Sequence, residues 1–148
     1  MGLEEEVGTS VRSNARVLAD ERKIPGIYNI LMIDHSKSHR LWIEDLISAY
    51  YMPKEKGSEP TTRVYFGGSK YGQDLIVFYL TAKADAYATL EQIRKDNTET
   101  PILIISALPK SQLDRQKLRD AGIKRRDVLV ERLDLGELWG RLREYCPR

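Results

Sequence analysis

This chain of 148 residues contains a single cysteine, no long apolar run and no large excess of charge of either sign. The lone Cys146 excludes an internal disulfide, and such sparse cysteine is typical of a reducing cytoplasm. No apolar run approaches the roughly 18 residues of a membrane-spanning helix. The opening MGLEEEVGTS has neither the basic start nor the apolar stretch of a signal peptide. We therefore expect a cytoplasmic protein that has no membrane partner.

The charge balance argues against a nucleic-acid-binding protein, and the glycine pattern argues against a nucleotide-binding one. A net charge of +2 is too small to indicate direct binding to nucleic acid. The basic cluster Lys124-Arg125-Arg126 follows Gly122 and is typical of a solvated loop at the C-terminal end of a helix. The pair Gly67-Gly68 fits neither of the glycine-rich patterns that cradle nucleotide phosphates. We expect no cofactor and no metal.

The remaining composition is that of a folded domain. Apolar residues make up 41% of the chain and charged residues 31%, as in ordinary globular proteins. Residues 1–24 are polar, and we interpret them as a linker or an appended helix that ends at Pro25-Gly26. Residues 25–148 are long enough to form one domain with its own core.

From Ile27 onward, short apolar runs alternate with amphipathic segments. Strands are predicted at residues 27–33, 63–66, 74–80, 102–106 and 127–130. Helices are predicted from Ser36 or Ser38 to about Tyr50, at 84–96, from Ser111 with Asp114 to Gly122, and from Asp134 through Tyr145. The buried stripe of the first helix is assigned to Trp42, Leu46, Ile47 and Tyr50. This alternation predicts a doubly wound α/β fold, a parallel sheet with helices on both faces.

Such folds place their sites at the carboxyl ends of the strands. In this chain the predicted strand ends carry Asp34-His35, Tyr79, Ser106 and Glu131. We expect these side chains to meet at one edge of the sheet.

The same strand ends resemble those of the response-regulator receiver family. The first strand of that family ends in paired acids, where this chain has Asp34-His35. Its third strand typically begins with Asp-Leu and ends in aspartate, where this chain runs from Asp74-Leu75 to Tyr79. Its fourth strand often follows a proline and ends in Thr/Ser-Ala, as Pro101 and Ser106-Ala107 do here. The order and spacing of these pieces carry the resemblance, which implies a flavodoxin-like five-stranded sheet.

The departures from the family pattern decide the expected function. In receivers, two acids and an acceptor aspartate hold Mg²⁺, a lysine contacts the phosphoryl group, and Thr or Ser responds to it. By position Asp34 and Ser106 match this set, whereas His35, Tyr79 and Glu131 do not. An imidazole and a neutral phenol are poor ligands for Mg²⁺, and phosphoryl capture needs the missing carboxylate nucleophile. The resemblance therefore implies a pseudo-receiver with a degenerate phosphorylation pocket and no catalytic residue.

A second departure concerns the connection between the second and third strands. Only Gly67 to Gln73 separate residue 66 from Asp74, whereas a parallel crossover normally needs a dozen or more residues. We interpret this as a second helix that is shortened or lost. An antiparallel hairpin is the alternative.

Each residue of the pocket also has a purely structural interpretation. One interpretation of His35 is a metal ligand or a proton switch near neutral pH. The favoured interpretation is an ion pair among His35, Asp34 and Glu131. Tyr79 is interpreted as a plug whose hydroxyl finds a hydrogen-bond partner. Ser106 is interpreted equally well as a signalling residue and as a hydroxyl that satisfies local backbone.

If the resemblance extends to the surface, the last helices and the last strand form a polar-rimmed protein interface. Its candidate residues are Arg132, Leu138, Trp139 and Tyr145. The alternative is a plain solvated helix face, and both Trp42 and Trp139 fit better as packing residues than as interface anchors.

The sequence therefore favours a phosphorylation-independent signalling module that binds a protein partner or a second copy of itself. The alternative is a small-ligand sensor that uses the vacated pocket at Asp34, His35, Tyr79 and Ser106. An enzyme is not expected, because neither a nucleophile–base pair nor a cofactor loop is visible.

Overall fold

The computed structural model describes residues 27–53, 55, 57, 62–67 and 72–148, and the predicted N-terminal segment 1–24 lies outside them. The strands are β1 (Ile27–Ile33), β2 (Arg63–Phe66), β3 (Leu75–Leu80), β4 (Ile102–Ser106) and β5 (Val128–Val130). The helices are α1 (Lys37–Tyr51), α2 (Ala86–Asp96), α3 (Arg115–Asp120) and α4 (Leu135–Tyr145), with short 3₁₀ turns at Lys110–Gln112 and Arg125–Asp127. None of these helices has the length and hydrophobicity needed to span a bilayer.

The five strands form one parallel sheet in the order β2-β1-β3-β4-β5. Side chains along β3 and β4 are buried on alternate faces, because successive residues of a strand point to opposite sides. On one face Val77 packs in a core with Ile47 of α1 and Leu142 of α4. On the other face Phe78 packs in a core with Leu90 of α2 and residues of α3. The predicted doubly wound fold with helices on both faces is confirmed.

The short connection between β2 and β3 is explained by the stagger of the sheet. Ile30 of β1 pairs with Phe66, the last residue of β2, and also with Leu75, the first residue of β3. The end of β2 and the start of β3 therefore lie at the same level along β1. The connection does not have to run back along the length of a strand, as an ordinary parallel crossover does. It only crosses β1, a distance of about 10 Å between the two neighbouring strands, which eight residues span easily. The described residues of this connection, Gly67 and 72–74, contain no helix.

Hydrogen bonds fix both ends of this crossing to β1. The Gly67 amide donates to the Ile30 carbonyl at 2.9 Å, and the Asp74 amide donates to the Asn29 carbonyl at 2.8 Å. The Asn29 amide in turn donates to the Asp74 carboxylate at 2.9 Å. Gly67 has a positive φ of 105°, a backbone conformation in which a side chain would be strained. β1 thus serves as the common partner on which the two neighbouring strands are aligned.

Side-chain caps set where three of the helices begin. The Ser36 hydroxyl accepts from the His39 amide at 3.2 Å and starts α1. Asp114 and Asp134 cap α3 and α4 in the same way, each at 3.1 Å. Ser111, predicted to share the cap of α3, lies instead in the preceding 3₁₀ turn.

Two sequence predictions about helix faces are wrong. Trp42 was assigned to the buried stripe of α1 but is 46% exposed, because that stripe runs through Ile43, Ile47, Tyr50 and Tyr51. Leu138 was assigned to an interface but is 0% exposed, because α4 turns this side chain toward the sheet.

The rest of the C-terminal helix packs closely as well. Trp139 is half-buried and its ring stacks on Tyr50, with ring centroids 5.4 Å apart. Cys146 is fully buried in the core shared by α1 and α4. The Tyr51 hydroxyl donates to the Cys146 carbonyl at 2.7 Å, which ties the end of α1 to the end of the chain.

We predict that Leu138→Ala lowers the free energy of unfolding by about 2–5 kcal/mol, because it leaves a cavity in the core. The matched control is Leu135→Ala on the same helix, where the side chain is 43% exposed and little stability should be lost. Urea denaturation of both variants measures the difference. Equal stability of the two variants would contradict the placement of Leu138 in the core.

Candidate functional site

Four polar side chains meet at the edge of the sheet where the strands end. Asp34 directly follows β1, Tyr79 is the penultimate residue of β3, and Glu131 directly follows β5. The fourth, His39, lies in the first turn of α1. The parallel order of the strands accounts for this meeting, because it brings all the carboxyl ends to one edge.

His39 bridges the two carboxylates. Its Nδ1 contacts Asp34 Oδ2, and its Nε2 lies 3.0 Å from Glu131 Oε2. The other oxygen of Asp34 accepts from the Ser36 amide at 2.9 Å, so the same aspartate helps to shape the start of α1. The Asp34 side chain is 1% exposed and that of His39 19% exposed. The bridge therefore joins the ends of β1 and β5 through a residue of α1.

The surroundings of His39 favour its charged form. Partial burial alone lowers its pKa, but the hydrogen bonds to Glu131 and Asp34 and their negative charges raise it, and the net pKa lies above the ordinary value. A protonated imidazole has two N–H donors, one for each carboxylate. It also offsets part of the negative charge that Asp34 and Glu131 bring to this edge.

Tyr79 completes the group. Its hydroxyl donates to Glu131 Oε1 at 2.8 Å, and its ring lies against that of His39 with centroids 3.9 Å apart. Burial and the hydrogen bond to Glu131 raise the pKa of Tyr79 to about 12. At neutral pH the phenol is therefore a hydrogen-bond donor and not an anionic nucleophile. Together Asp34, His39, Tyr79 and Glu131 form what we term the strand-end network.

The histidine of this network is not the one that sequence reasoning named. An ion pair of Asp34 and Glu131 with His35 was expected, but His35 is exposed and His39 makes both contacts. His35 precedes the helix, whereas the Ser36 cap starts α1 so that the third residue of its first turn, His39, faces the strand ends. The spacing of a helix-capping serine and a histidine three residues later is the signal that was overlooked.

Ser106 lies at the end of β4, and its hydroxyl bonds the backbone of the turn that follows. Its hydroxyl donates to the Leu108 carbonyl at 2.8 Å and accepts from the Leu108 amide at 2.9 Å. The side chain is fully buried. This is the local backbone role that the sequence offered as one of two interpretations.

The two aspartates nearest to β3 in the sequence, Asp74 and Asp85, are not part of the strand-end network. Asp74 precedes β3, at the opposite end of that strand, where its carboxylate accepts from the Asn29 amide. Asp85 is exposed and precedes α2. Among the described residues, His, Cys, Asp and Glu side chains form no group of three or more arranged to hold a metal ion.

Of the predicted interface residues, Leu138 is excluded by its burial and the others remain accessible to different degrees. Arg132 is exposed, and Trp139 and Tyr145 are half-buried. The Tyr145 hydroxyl donates to Asp127 at 2.5 Å.

No protein-family model matches the sequence, and no curated protein matches it. Solved structures do. A protein of Burkholderia pseudomallei described as related to pilus assembly is 16% identical, with a TM-score of 0.60 over 82% of this chain and 91% of that one. The signal receiver domain of an HD domain-containing protein from Pseudomonas fluorescens is 18% identical, with a TM-score of 0.58 over 80% and 93%. A LuxR-family two-component response regulator from Aurantimonas is 18% identical, with a TM-score of 0.57 over 80% and 84%.

At these identities the likeness shows the fold alone. Most of the similar structures are receiver domains, and the sheet order of this chain agrees with theirs. The chain therefore has a receiver-like fold.

We predict that His39 makes stability depend on pH. Because its folded pKa is raised, its contribution is fully present below the unfolded value of about 6.5 and is lost as pH rises through the folded pKa. The difference in unfolding free energy between the wild type and His39→Gln should be larger at pH about 6 than at pH about 9. Urea denaturation at each pH measures this difference.

His35→Gln is the matched control, since the chain has two histidines and His35 is exposed. This variant should keep the pH dependence of the wild type. If His35→Gln removed the dependence and His39→Gln retained it, the assignment of the bridging histidine would be wrong.

Proposed function

We propose that this chain is a pseudo-receiver, a signalling domain that works without phosphorylation by binding a protein partner or a second copy of itself. The receiver-like fold supports a signalling role of the two-component type, and several of the similar solved structures are described as receiver domains or response regulators. We propose that it acts in the cytoplasm and is not an enzyme.

The observation that carries this proposal is Tyr79 at the end of β3. Receiver signalling stores a phosphoryl group as an acyl phosphate, and that bond forms only on a carboxylate. Here the position holds a phenol that donates to Glu131. Its raised pKa keeps the hydroxyl protonated, so the phenol is a weak nucleophile. It also lacks the carboxylate that an acyl phosphate requires.

The neighbours of Tyr79 support the same proposal. Asp34, the one acid that matches the metal-binding set of receivers, is engaged by His39 and by the Ser36 amide. Glu131 stands where receivers have a lysine, and its negative charge would repel a phosphoryl group. Both oxygens of the Glu131 carboxylate are engaged inside the protein, one by His39 and the other by Tyr79.

The alternative of a small-ligand sensor receives less support from this geometry. The rings of His39 and Tyr79 lie against each other, and the polar atoms of the strand-end network bond one another. A ligand that entered here would first have to break these bonds.

We predict that the protein gains no phosphoryl group when it is incubated with Mg²⁺ and acetyl phosphate, because no carboxylate occupies the acceptor position. Intact mass spectrometry measures the gain, and a receiver domain that retains its acceptor aspartate serves as the positive control. Beryllium fluoride, which mimics the acyl phosphate, should leave the NMR spectrum of this protein unchanged.

Treatment with hydroxylamine identifies the chemistry of any adduct, since it cleaves acyl phosphates. A gain of one phosphoryl group that hydroxylamine removes would contradict the proposal. A loss of that gain in Asp34→Asn would locate the reaction at the strand ends.

A further inference from the structure

A cleft with a volume of about 590 Å³ lies between α3 and β5, away from the strand-end network. It is lined by five cations and four aliphatic side chains: Lys110, Arg115, Arg119, Lys124 and Arg125, with Leu113, Leu118, Ile123 and Val128. We term it the basic cleft. No carboxylate lines it, although acids and bases are almost equal in number in the whole chain, 22 against 24.

The five cations are exposed, and none forms an ion pair with a carboxylate in the part of the chain that the structure describes. Arg119 donates to the Gln116 side chain at 2.8 Å, a neutral partner. By contrast Arg126, the third member of the basic run in the sequence, turns away and pairs with Glu144. The fold has therefore gathered positive charge from α3 and from the loop before β5 into one place.

The acidic residues of α3 and of the loop before β5 form hydrogen bonds with groups other than the five cations. Asp114 caps α3 by accepting from the Lys117 amide, and Asp120 accepts from the Gln116 side chain at 2.7 Å. Asp127 is buried and accepts from the Tyr145 hydroxyl. Within the described part of the chain, no carboxylate forms an ion pair with the cations of the basic cleft. Like charges held together favour an anionic partner.

The floor of the cleft is apolar. Leu118 and Ile123 are buried at its base, and Leu113 and Val128 are partly accessible. A ligand that fits this floor has to carry aliphatic groups between its negative charges. None of the lining residues is aromatic, so the cleft offers no platform on which nucleic-acid bases would stack.

We propose that the basic cleft binds an acidic amphipathic segment of a protein partner, with glutamates or aspartates facing the five cations and leucine-like side chains on the floor. This inference rests on the proposed function, because it assigns a chemistry to the partner. The short α3, with only six residues, leaves the floor open to such a segment. An apolar centre surrounded by a polar rim is the arrangement found in protein interfaces.

The test uses the full chain and a fluorescent peptide of repeated Leu-Glu-Glu-Leu-Leu-Glu-Glu units, with binding followed by fluorescence anisotropy. We expect binding that weakens as salt is added, because exposed charges are screened. In Arg119→Glu/Lys124→Glu the affinity should fall by about tenfold or more, since like charges then face the peptide. Lys95→Glu/Arg143→Glu, which reverses two exposed cations outside the cleft, is the matched control and should bind as the wild type does.

Two further probes separate the other occupants. A peptide with serine in place of every leucine should bind about tenfold more weakly, because it loses the floor contacts. Pyrophosphate and a single-stranded oligonucleotide should bind more weakly than the acidic peptide. Absence of peptide binding, equal binding to Arg119→Glu/Lys124→Glu, or tighter binding of either phosphate probe would overturn this proposal. None of these outcomes would affect the phosphodonor experiment, so the pseudo-receiver proposal is tested separately.

Discussion

The alignment of the sheet on β1 is the constraint on which the rest of the structure depends. Ile30 pairs with the end of β2 and with the start of β3, and this shared level allows a parallel connection without a full crossover helix. The same parallel order brings Asp34, Tyr79 and Glu131 to one edge. A hairpin at this point would have reversed β3 and carried Tyr79 to the opposite edge. The site therefore follows from the direction of the strands before any side-chain contact is considered.

At that edge, a histidine offsets the negative charge of two carboxylates. Two carboxylates at the end of a sheet would repel each other, and receivers resolve this repulsion with a bound cation. In this chain His39 lies between Asp34 and Glu131, and both contacts raise its pKa. The imidazole thus supplies from within the protein the positive charge that the acids require. Tyr79 adds a neutral donor to Glu131.

Much of the fold could be predicted from the sequence, because buried strands and amphipathic helices leave strong periodic patterns. Asp34, Tyr79 and Glu131 were found because they directly follow or end strands, where the fold class brings residues together. His39 was missed because it comes from a helical turn, and only the Ser36 cap determines which side of that turn faces the sheet. Trp42 was misplaced because an aromatic residue near the edge of a helix face does not fix the rotation of the helix. Leu138 was misplaced because the interface was inferred from the family resemblance, whereas this side chain faces the core. The stagger at Ile30 is a matter of register, which short apolar strands do not encode locally.

The buried thiol of Cys146 is protected from reaction while the protein is folded. Cys146 lies in the core between α1 and α4, and burial, with the nearby Asp74 carboxylate, raises its pKa to about 12. A thiol reagent attacks the thiolate, so the folded protein should be inert to alkylation and to oxidation. Reaction then requires the C-terminal end of α4 to move away from the core. Because the chain has one cysteine, the rate of alkylation would report how often this end of the helix opens.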